Sequence, residues 1–412
     1  MKLLITIITI TIIALIGSRL TFLNRKLPLG FRNIIFTGTE YIFMGVLLGK
    51  MGLNMIDPKI LTSLEPFLFF GLSWIGFLFG LQFDFKSLKN LPRFFFSISA
   101  IQAFVTFLVV TPVIFFSFKT FSTLPAGTVL ILSFALGSAS VCTAQSALAI
   151  VCNNYRFKNP KFFSLLNYIA GIDGIFALAL YSLTFIIFPL SGSTKFDLAA
   201  SLKWLLLALT IGMITAFIFI ILSRVRFSQQ EFIVFILGSV LFGGGLAMKT
   251  NNSPLLIGFI SGLIIANFCR HRLRALEIMV HSEKSIYIII LVIIGASWKL
   301  DFNFVLIITG FYFLSRLLAK LMGVFAATRS FKFDFHVPWS TGLGLLSEGG
   351  FAIAIIISFS IFYPALSDYL ITVVVISMII NEFISPKLIL SLLENPVPID
   401  FRDRPDITKK NK

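Results

Sequence analysis

The sequence predicts an all-α polytopic membrane protein of about 13 transmembrane helices, with inverted repeats of five helices and two broken crossing helices. Three observations lead to this fold class. Of the 412 residues, 57% are hydrophobic and only 13% are charged, whereas a soluble domain keeps roughly a quarter of its residues charged. Long apolar segments recur along the chain, and the loops between them alternate in basic content. Two segments are rich in helix breakers or small polar residues at matched positions.

The apolar segments are identified by their length, because a helix needs ~20 mostly apolar residues to cross the hydrocarbon. The candidates are 3–18, 33–49, 64–83, 94–117, 124–152, 162–189, 198–222, 231–248, 254–269, 284–298, 302–326, 337–363 and 366–393. The three cysteines lie in apolar runs or at their ends. We therefore expect neither a disulfide framework nor a metal site.

The loop charges predict the orientation. The odd-numbered loops and the C-terminal tail hold most of the 34 Lys and Arg residues. Because cytoplasmic loops carry excess Lys and Arg, we expect a plasma (inner) membrane protein with its N-terminus outside and its C-terminus in the cytoplasm. The net charge of +16 is then a matter of topology rather than of nucleic-acid binding. The first segment has Lys2 but no clear cleavage site before Arg19, so we interpret it as a helix rather than a signal peptide.

Internal symmetry predicts the domain organisation. The stretches "LSFALGSASVCTAQSALAIV" (132–151) and "WSTGLGLLSEGGFAIAIIIS" (339–358) fall in the fifth and twelfth segments. Because the offset of seven segments is odd, the two five-helix units cross the membrane in opposite directions. Transporters with such inverted repeats bind their substrate where two interrupted helices meet. The expected parts are an additional N-terminal helix with its basic loop (1–32), a first repeat (33–189), linking helices (190–253), a second repeat (254–393) and a short cytoplasmic tail (394–412).

Asp173 is the only charged residue between Phe162 and Pro189. A charged residue at the centre of a membrane helix costs ~2.5–3.5 kcal/mol on insertion scales, so such residues usually have a function. A carboxylate in this position can hold a proton or a bare cation, and the two compete. The alternative is a permanently protonated Asp173 that is hydrogen-bonded to a neighbouring helix.

The first interruption supplies candidate oxygen ligands. Thr143 has a hydroxyl beside main-chain carbonyls that the break leaves free, and Ser140 and Gln145 add further oxygens. Such oxygens suit a hard alkali cation. The alternative is that the hydroxyls bond back to the preceding helical turn.

Further charged residues lie within apolar segments. Arg316 and Lys320 are four apart on one helix face. We expect Arg316 to face protein and to neutralise a carboxylate or the C-terminal end of a broken half-helix. We expect Lys320, like Arg316 and Glu348, to have an electrostatic role in the core; the alternative is that its ammonium group extends toward the cytoplasmic end. Glu348 could face the cavity, pair with Arg316 or cap a half-helix, and Glu40 and Glu382 also lie in apolar segments.

Four stretches, in this order, resemble the monovalent cation:proton antiporter superfamily and in particular its bacterial Kef-like branch. They are "YIFMGVLLGKMGLN" (41–54), "FLFGLQFDFKSLK" (77–89), "GFISGLIIAN" (258–267) and "LLSEGGFAIAI" (345–355). Lys50 replaces the usual Pro of the first stretch, and Gln82 replaces the usual acid of the second.

The resemblance implies an ion site at a two-residue motif in the sixth helix. Asp173 is the second residue of that motif if Ile172 is the first; in the alternative alignment Asp173 is the first and Gly174 replaces the second acid. The resemblance also places Thr143 at the threonine of the first broken helix, and Arg316 or Lys320 at a basic position before the second. It implies a homodimer among membrane lipids that binds monovalent cations and protons, without a cofactor, enzymatic activity or nucleic acid.

A single acid with no acidic neighbour in sequence suggests electroneutral exchange of one proton for Na⁺ or K⁺. The departures at Lys50, Gln82 and Ile172 motivate an alternative, a transport-inactive sensor or assembly subunit. A membrane enzyme acting on lipid would need clustered acids or a metal set, and the sequence has no such pattern.

Overall fold

The computed structural model describes residues 2–20, 29–86, 92–156, 160–188, 198–225, 227–299, 304–331, 337–393 and 397–398. Fifteen α-helices lie in these ranges: α1 Lys2–Leu20, α2 Leu29–Thr37, α3 Glu40–Leu48, α4 Pro58–Leu81, α5 Arg93–Phe121, α6 Ala126–Val141, α7 Ser146–Asn154, α8 Pro160–Ile187, α9 Leu198–Leu222, α10 Gln229–Lys249, α11 Pro254–Phe268, α12 Arg272–Ser297, α13 Phe304–Arg329, α14 Gly350–Phe362 and α15 Ser367–Leu392. Two 3₁₀ helices, Trp339–Leu345 and Pro364–Leu366, precede α14 and α15. The strands are two residues long, β1 Tyr155–Arg156 and β2 Val397–Pro398, and pair antiparallel with Tyr155 opposite Pro398.

The prediction of an all-α polytopic membrane protein is confirmed. Within the described ranges, nine helical spans are long and apolar enough to cross a membrane, and the pair of Trp339–Leu345 with α14, bent by 62°, makes a tenth. The remaining predicted segments contain the shorter α1 and α11 and the pair α2–α3. Every predicted segment therefore contains helix.

Two segments differ from the sequence-based expectation. The segment expected as one helix over 33–49 is interrupted, because Gly38 adopts a left-handed conformation with φ +79° that ends α2 before α3 begins. Helix α12 begins at Arg272, well before the predicted start at 284, so part of the basic ninth loop is helical.

The helix contacts relate the two sets of five segments. Helix α4 packs along α11, and α3 packs along α12. Helix α5 packs along α13, while α6 contacts α8 and α14 contacts α15. Counted within its own set, α3 belongs to the first segment and α4 is the second, while α11 is the first and α12 the second of the other set. The contacts α4–α11 and α3–α12 therefore each join a first to a second segment. The contacts α6–α8 and α14–α15 each join the fourth and fifth segments of one set. In this arrangement the two interrupted segments contact each other, through α6 and α14.

Polarity is distributed inside out relative to a soluble protein. Large apolar side chains on the outer faces of α9 and α10, such as Phe217 and Val234, are exposed. In contrast, five Asp, Glu, Lys and Arg side chains in the described interior are fully buried: Asp173, Arg316, Lys320, Glu348 and Glu382. This is the distribution expected of a protein whose exterior contacts lipid and whose ionisable groups face the bundle interior.

The contact between α4 and α11 depends on glycines on both helices. A Cβ atom added at Gly76 would lie 2.1 Å from the carbonyl oxygen of Leu255, and one added at Gly262 would lie 2.1 Å from that of Phe77. Gly80 and Gly258 are equally tight against the opposite backbone, at 2.3 Å. Small residues four apart allow membrane helices to approach closely, so this pair is held by backbone packing.

We expect Gly262→Ala to lower the free energy of unfolding by about 1–3 kcal/mol, because its methyl group must push α11 away from α4. The measurement is thermal unfolding of the purified protein in detergent. Gly245→Ala on α10 is the matched control, since a Cβ there meets nothing within 4 Å. Equal unfolding temperatures for the two variants would contradict the packing argument.

Candidate functional site

The two interrupted segments meet at their breaks. Helix α6 ends at Val141 and α7 begins at Ser146, and the chain is again non-helical between Leu345 and Gly350. The amide nitrogen of Ala144 donates to the carbonyl oxygen of Ser347 at 2.8 Å. A Cβ at Gly349 would lie 2.7 Å from that of Ala144, so a larger residue there would separate the breaks. The predicted crossing of two broken helices is present.

Asp173 lies beside this crossing and is completely buried. Its Oδ2 accepts a hydrogen bond from the Thr143 hydroxyl at 2.7 Å and from the Lys320 ammonium at 3.1 Å. Its Oδ1 accepts from the Ser99 hydroxyl at 3.1 Å. Four elements thus hold the carboxylate: α8 carries it, and α5, the first break and α13 donate to it.

Lys320 points into the protein, as its expected place in the core requires, and the alternative that it extends toward the cytoplasmic end is wrong. The side chain is fully buried, and its ammonium group forms an ion pair with Asp173 at 3.1 Å. It also donates to the carbonyl oxygen of Val141 at 2.7 Å and to the Thr143 hydroxyl oxygen at 2.9 Å. The Asp173 carboxylate and the negative C-terminal end of α6 attract the ammonium group and so hold it inside the protein rather than at the membrane surface. Three acceptors match the three N–H donors of the ammonium.

Arg316 joins the two breaks. Its Nε and Nη2 donate to the carbonyl oxygens of Ser140 and Cys142, at 2.9 and 2.7 Å. Its Nη1 donates to the carbonyl oxygen of Leu346 in the second break at 2.6 Å. Nε also lies 3.1 Å from Glu348 Oε1. The two geometries considered for Arg316 from the sequence, a carboxylate partner and a half-helix C-terminus, therefore occur together.

Glu348 pairs with Arg316, one of the three placements left open by the sequence. The Tyr312 hydroxyl donates to its Oε1 at 2.9 Å, and the Asn381 amide donates to its Oε2 at 3.3 Å. All these side chains are buried. The carboxylate is thus held by donors from α13 and α15 and does not cap α14, whose N-cap has no side-chain hydrogen bond.

Two predicted residues do not present their side chains to Asp173. The Ser140 hydroxyl donates back to the carbonyl oxygen of Gly137 at 2.6 Å, as serines in helices commonly do. Gln145 is exposed, and its amide donates to the carbonyl oxygen of Asn167 on α8 at 3.0 Å. Of the predicted residues, Thr143 and Lys320 contact Asp173 directly.

Sequence reasoning missed Ser99, Tyr312 and Asn381. Serine is common in membrane helices, where it satisfies itself on the preceding turn, so Ser99 carried no signal. Tyr312 lies four residues before Arg316, on the same face of α13, and this spacing could have indicated it. Asn381 adjoins Glu382, and the pair of polar residues within an apolar segment was the available signal.

The arrangement favours competition among small cations for one carboxylate. Hydroxyl and carboxylate oxygens are ligands suited to hard cations, and the Lys320 ammonium already occupies one side of Asp173. Among the residues that the structure describes, no group of three His, Cys, Asp or Glu side chains could hold a resident metal ion. The absence of a cofactor stays a prediction.

Comparison with known proteins is consistent with this geometry. The family described as Sodium/hydrogen exchanger, transmembrane, matches residues 4–389. No curated protein matches the chain. A structure of the sodium proton antiporter MjNhaP1 from Methanocaldococcus jannaschii at pH 8 superposes with a TM-score of 0.66 at 17% identity, covering 96% of this chain and 100% of that one. An electron-microscopy structure of MjNhaP1 gives 0.61 at 18% identity, with 95% and 96% covered.

Proposed function

The chain belongs to the sodium/hydrogen exchanger family, and from this premise we propose that it exchanges Na⁺ or K⁺ for protons, with Asp173 binding the two ions alternately. The observation that carries the proposal is the fully buried carboxylate at the crossing of two broken helices. Because its partners are two hydroxyls and one ammonium group, a cation or a proton can replace the ammonium without disrupting a fixed ligand cage.

The ion pair between Lys320 and Asp173 supports electroneutral exchange. In the empty site the two charges cancel. If Lys320 stays charged throughout the cycle, binding either a proton or a Na⁺ at Asp173 adds one positive charge. The two loaded forms then cross the membrane with equal charge, and a one-for-one exchange moves no net charge.

We expect no steady current when the reconstituted protein on a supported membrane is given opposing Na⁺ and proton gradients. Proton movement measured in the same proteoliposomes shows that the protein is active. Asp173→Asn, which removes the exchanging carboxylate, corrects for leak. A sustained current present in the wild type and absent from the variant would contradict electroneutral exchange, and would point to a second transported proton.

We expect Thr143→Val to raise the Na⁺ concentration for half-maximal exchange roughly tenfold, because a hydrogen bond to a charged group contributes about 1.5–3 kcal/mol. The Thr143 hydroxyl touches both Asp173 and Lys320, and valine keeps its shape. Ser140→Ala is the matched control, since that hydroxyl bonds only within α6. Equal half-maximal concentrations for the two variants would remove Thr143 from the ion site.

The alternative function is a transport-inactive sensor or assembly subunit. Of the departures that motivate it, Lys50 and Gln82 are exposed, whereas Ile172 is buried beside Asp173. The alternative therefore depends mainly on Ile172. If well-folded wild-type protein moved no protons in response to Na⁺ or K⁺, while binding either ion, the sensor function would be favoured.

The surroundings of the exchanger are also part of the proposal. The basic residues at the start of α12, Arg272 and Arg274, support an arrangement in a plasma (inner) membrane with the C-terminus in the cytoplasm and the N-terminus outside. We further propose a homodimer and the division into two inverted repeats, 33–189 and 254–393, joined by linking helices 190–253. Cysteine accessibility on the two membrane sides tests the orientation.

A further inference from the structure

A second buried carboxyl group, Glu382 on α15, lies against the interruption between α2 and α3. Its side chain is fully buried. The hydroxyls of Thr37 and Thr39, on either side of Gly38, contact its Oε2, the latter at 2.8 Å. The amide of Asn33 on α2 donates to the main-chain carbonyl oxygen of Glu382 at 2.9 Å. This group is separate from Asp173 and has no part in the exchange described above.

No positive charge balances Glu382 in the part of the chain that the structure describes. Its Oε1 is buried without a hydrogen-bond partner, and no ion pair there includes it. Two further carboxyls, Glu40 on α3 and Glu348 at the second break, interact unfavourably with a charge on Glu382. The adjacent Asn381 donates to Glu348. On α12, Lys284 interacts electrostatically with Glu40, and the Tyr287 hydroxyl is buried without a hydrogen-bond partner. An ionised carboxylate buried among such neighbours would be strongly unfavourable.

The hydrogen-bond count around Thr37 points to the group that neutralises Glu382. The single Thr37 hydroxyl lies within hydrogen-bond distance of Glu382 Oε2 and of the carbonyl oxygens of Asn33 and Ile34, at 3.1 and 2.9 Å. This hydroxyl has one hydrogen and donates to one acceptor at a time; the Ile34 carbonyl oxygen already accepts from the Gly38 amide, and the Thr37 oxygen also lies 2.9 Å from the Thr39 hydroxyl. A hydrogen on the carboxyl group would let Glu382 donate to Thr37 while Thr37 donates within its own helix.

We propose that Glu382 is a proton-binding site at the contact between α15 and the α2–α3 interruption, distinct from Asp173. A proton fits better than an alkali cation, since a cation needs several converging oxygens, whereas a proton needs one acceptor. Asn33 Oδ1 is also buried without a partner, on a residue that already bonds Glu382. Loss of the proton places a charge in this contact and weakens it. The inference does not rest on the proposed function.

The test is infrared spectroscopy of the purified protein in lipid, which detects the carbonyl stretch of a protonated carboxyl group. We expect a band that disappears on raising the pH, shifts when glutamate is ¹³C-labelled, and is lost in Glu382→Gln. Glu40→Gln is the matched control, because it removes a neighbouring carboxyl that also has an unpartnered buried oxygen. Asp173→Asn should keep the band although it loses exchange, so the two proposals fail separately.

Thr39→Val gives a second readout if Glu382→Gln does not fold. Removing this hydroxyl should shift the frequency of the same band, because it contacts Glu382 Oε2. A wild-type protein without a protonated glutamate band at any pH at which it stays folded would overturn the proposal. So would a band lost in Glu40→Gln and kept in Glu382→Gln, or one removed by NaCl or KCl at constant pH.

Discussion

Asp173→Asn is expected to abolish Na⁺ binding and exchange while the protein stays folded. The asparagine side chain has the size of aspartate. Its amide oxygen can accept from one of the Thr143 and Ser99 hydroxyls and its NH₂ group can donate to the other, while Lys320 keeps the Val141 carbonyl oxygen as an acceptor, so the packing around the crossing is kept. It carries no charge, however, and cannot bind a proton in the physiological range. A buried site without the carboxylate has nothing to offset the cost of dehydrating a cation.

Calorimetric titration of Na⁺ into the purified protein measures the binding part of this prediction. Wild-type binding should weaken as the pH falls, because protons and Na⁺ compete for the carboxylate. The matched control is Asp84→Asn, since Asp84 is also a buried aspartate in an ion pair, with Arg272 at 2.7 Å, but lies away from the crossing. Unchanged Na⁺ binding in Asp173→Asn would place the cation elsewhere.

Arg316→Met is expected to cause the largest loss of stability, about 3–5 kcal/mol in the free energy of unfolding. The substitution removes the donors to the Ser140, Cys142 and Leu346 carbonyls and leaves Glu348 as a buried charge without its ionic partner. The breaks depend on these bonds because their carbonyl oxygens have no intrahelical partner. Denaturant titration in detergent micelles measures the change.

A double variant distinguishes the stability lost through the unpaired Glu348 charge from that lost with the hydrogen bonds to the carbonyl oxygens. Arg316→Met combined with Glu348→Gln should recover part of the lost stability, because no unpaired charge remains, but not the share that comes from the carbonyls. Arg329→Met on the same helix is the control, since Arg329 is exposed and contacts only the ring of Phe325 among the interactions described for it. Similar stabilities for Arg316→Met and Arg329→Met would contradict the assignment.

The sequence was sufficient for the fold class because membrane insertion depends on local properties of the chain. Apolar length, loop charge and glycine-rich interruptions can be read without knowing which helices touch. A lone acid such as Asp173 could be identified for the same reason, since its cost in the membrane is a property of the segment. The break at Gly38 was missed because glycine is common in membrane helices and carries no sign of its φ angle.

The partners of the site could not be predicted, because they depend on where helix ends meet in space. Lys320 turns inward since α6 ends at Val141 and exposes carbonyl oxygens beside Asp173. No sequence pattern fixes that position to within one residue. Similarly, Glu382 meets Thr37 and Thr39 through a contact between the first and last repeat segments, which are far apart in the chain.

The most direct test of the central claim is pH-dependent fluorescence dequenching in everted membrane vesicles, with NaCl and then KCl added to wild type and Asp173→Asn. Equal protein levels in the two vesicle preparations serve as the control. Exchange at Asp173 predicts a cation-driven pH change in the wild type and none in the variant. A response of equal size in both would contradict the account, because the exchanging group would then lie elsewhere.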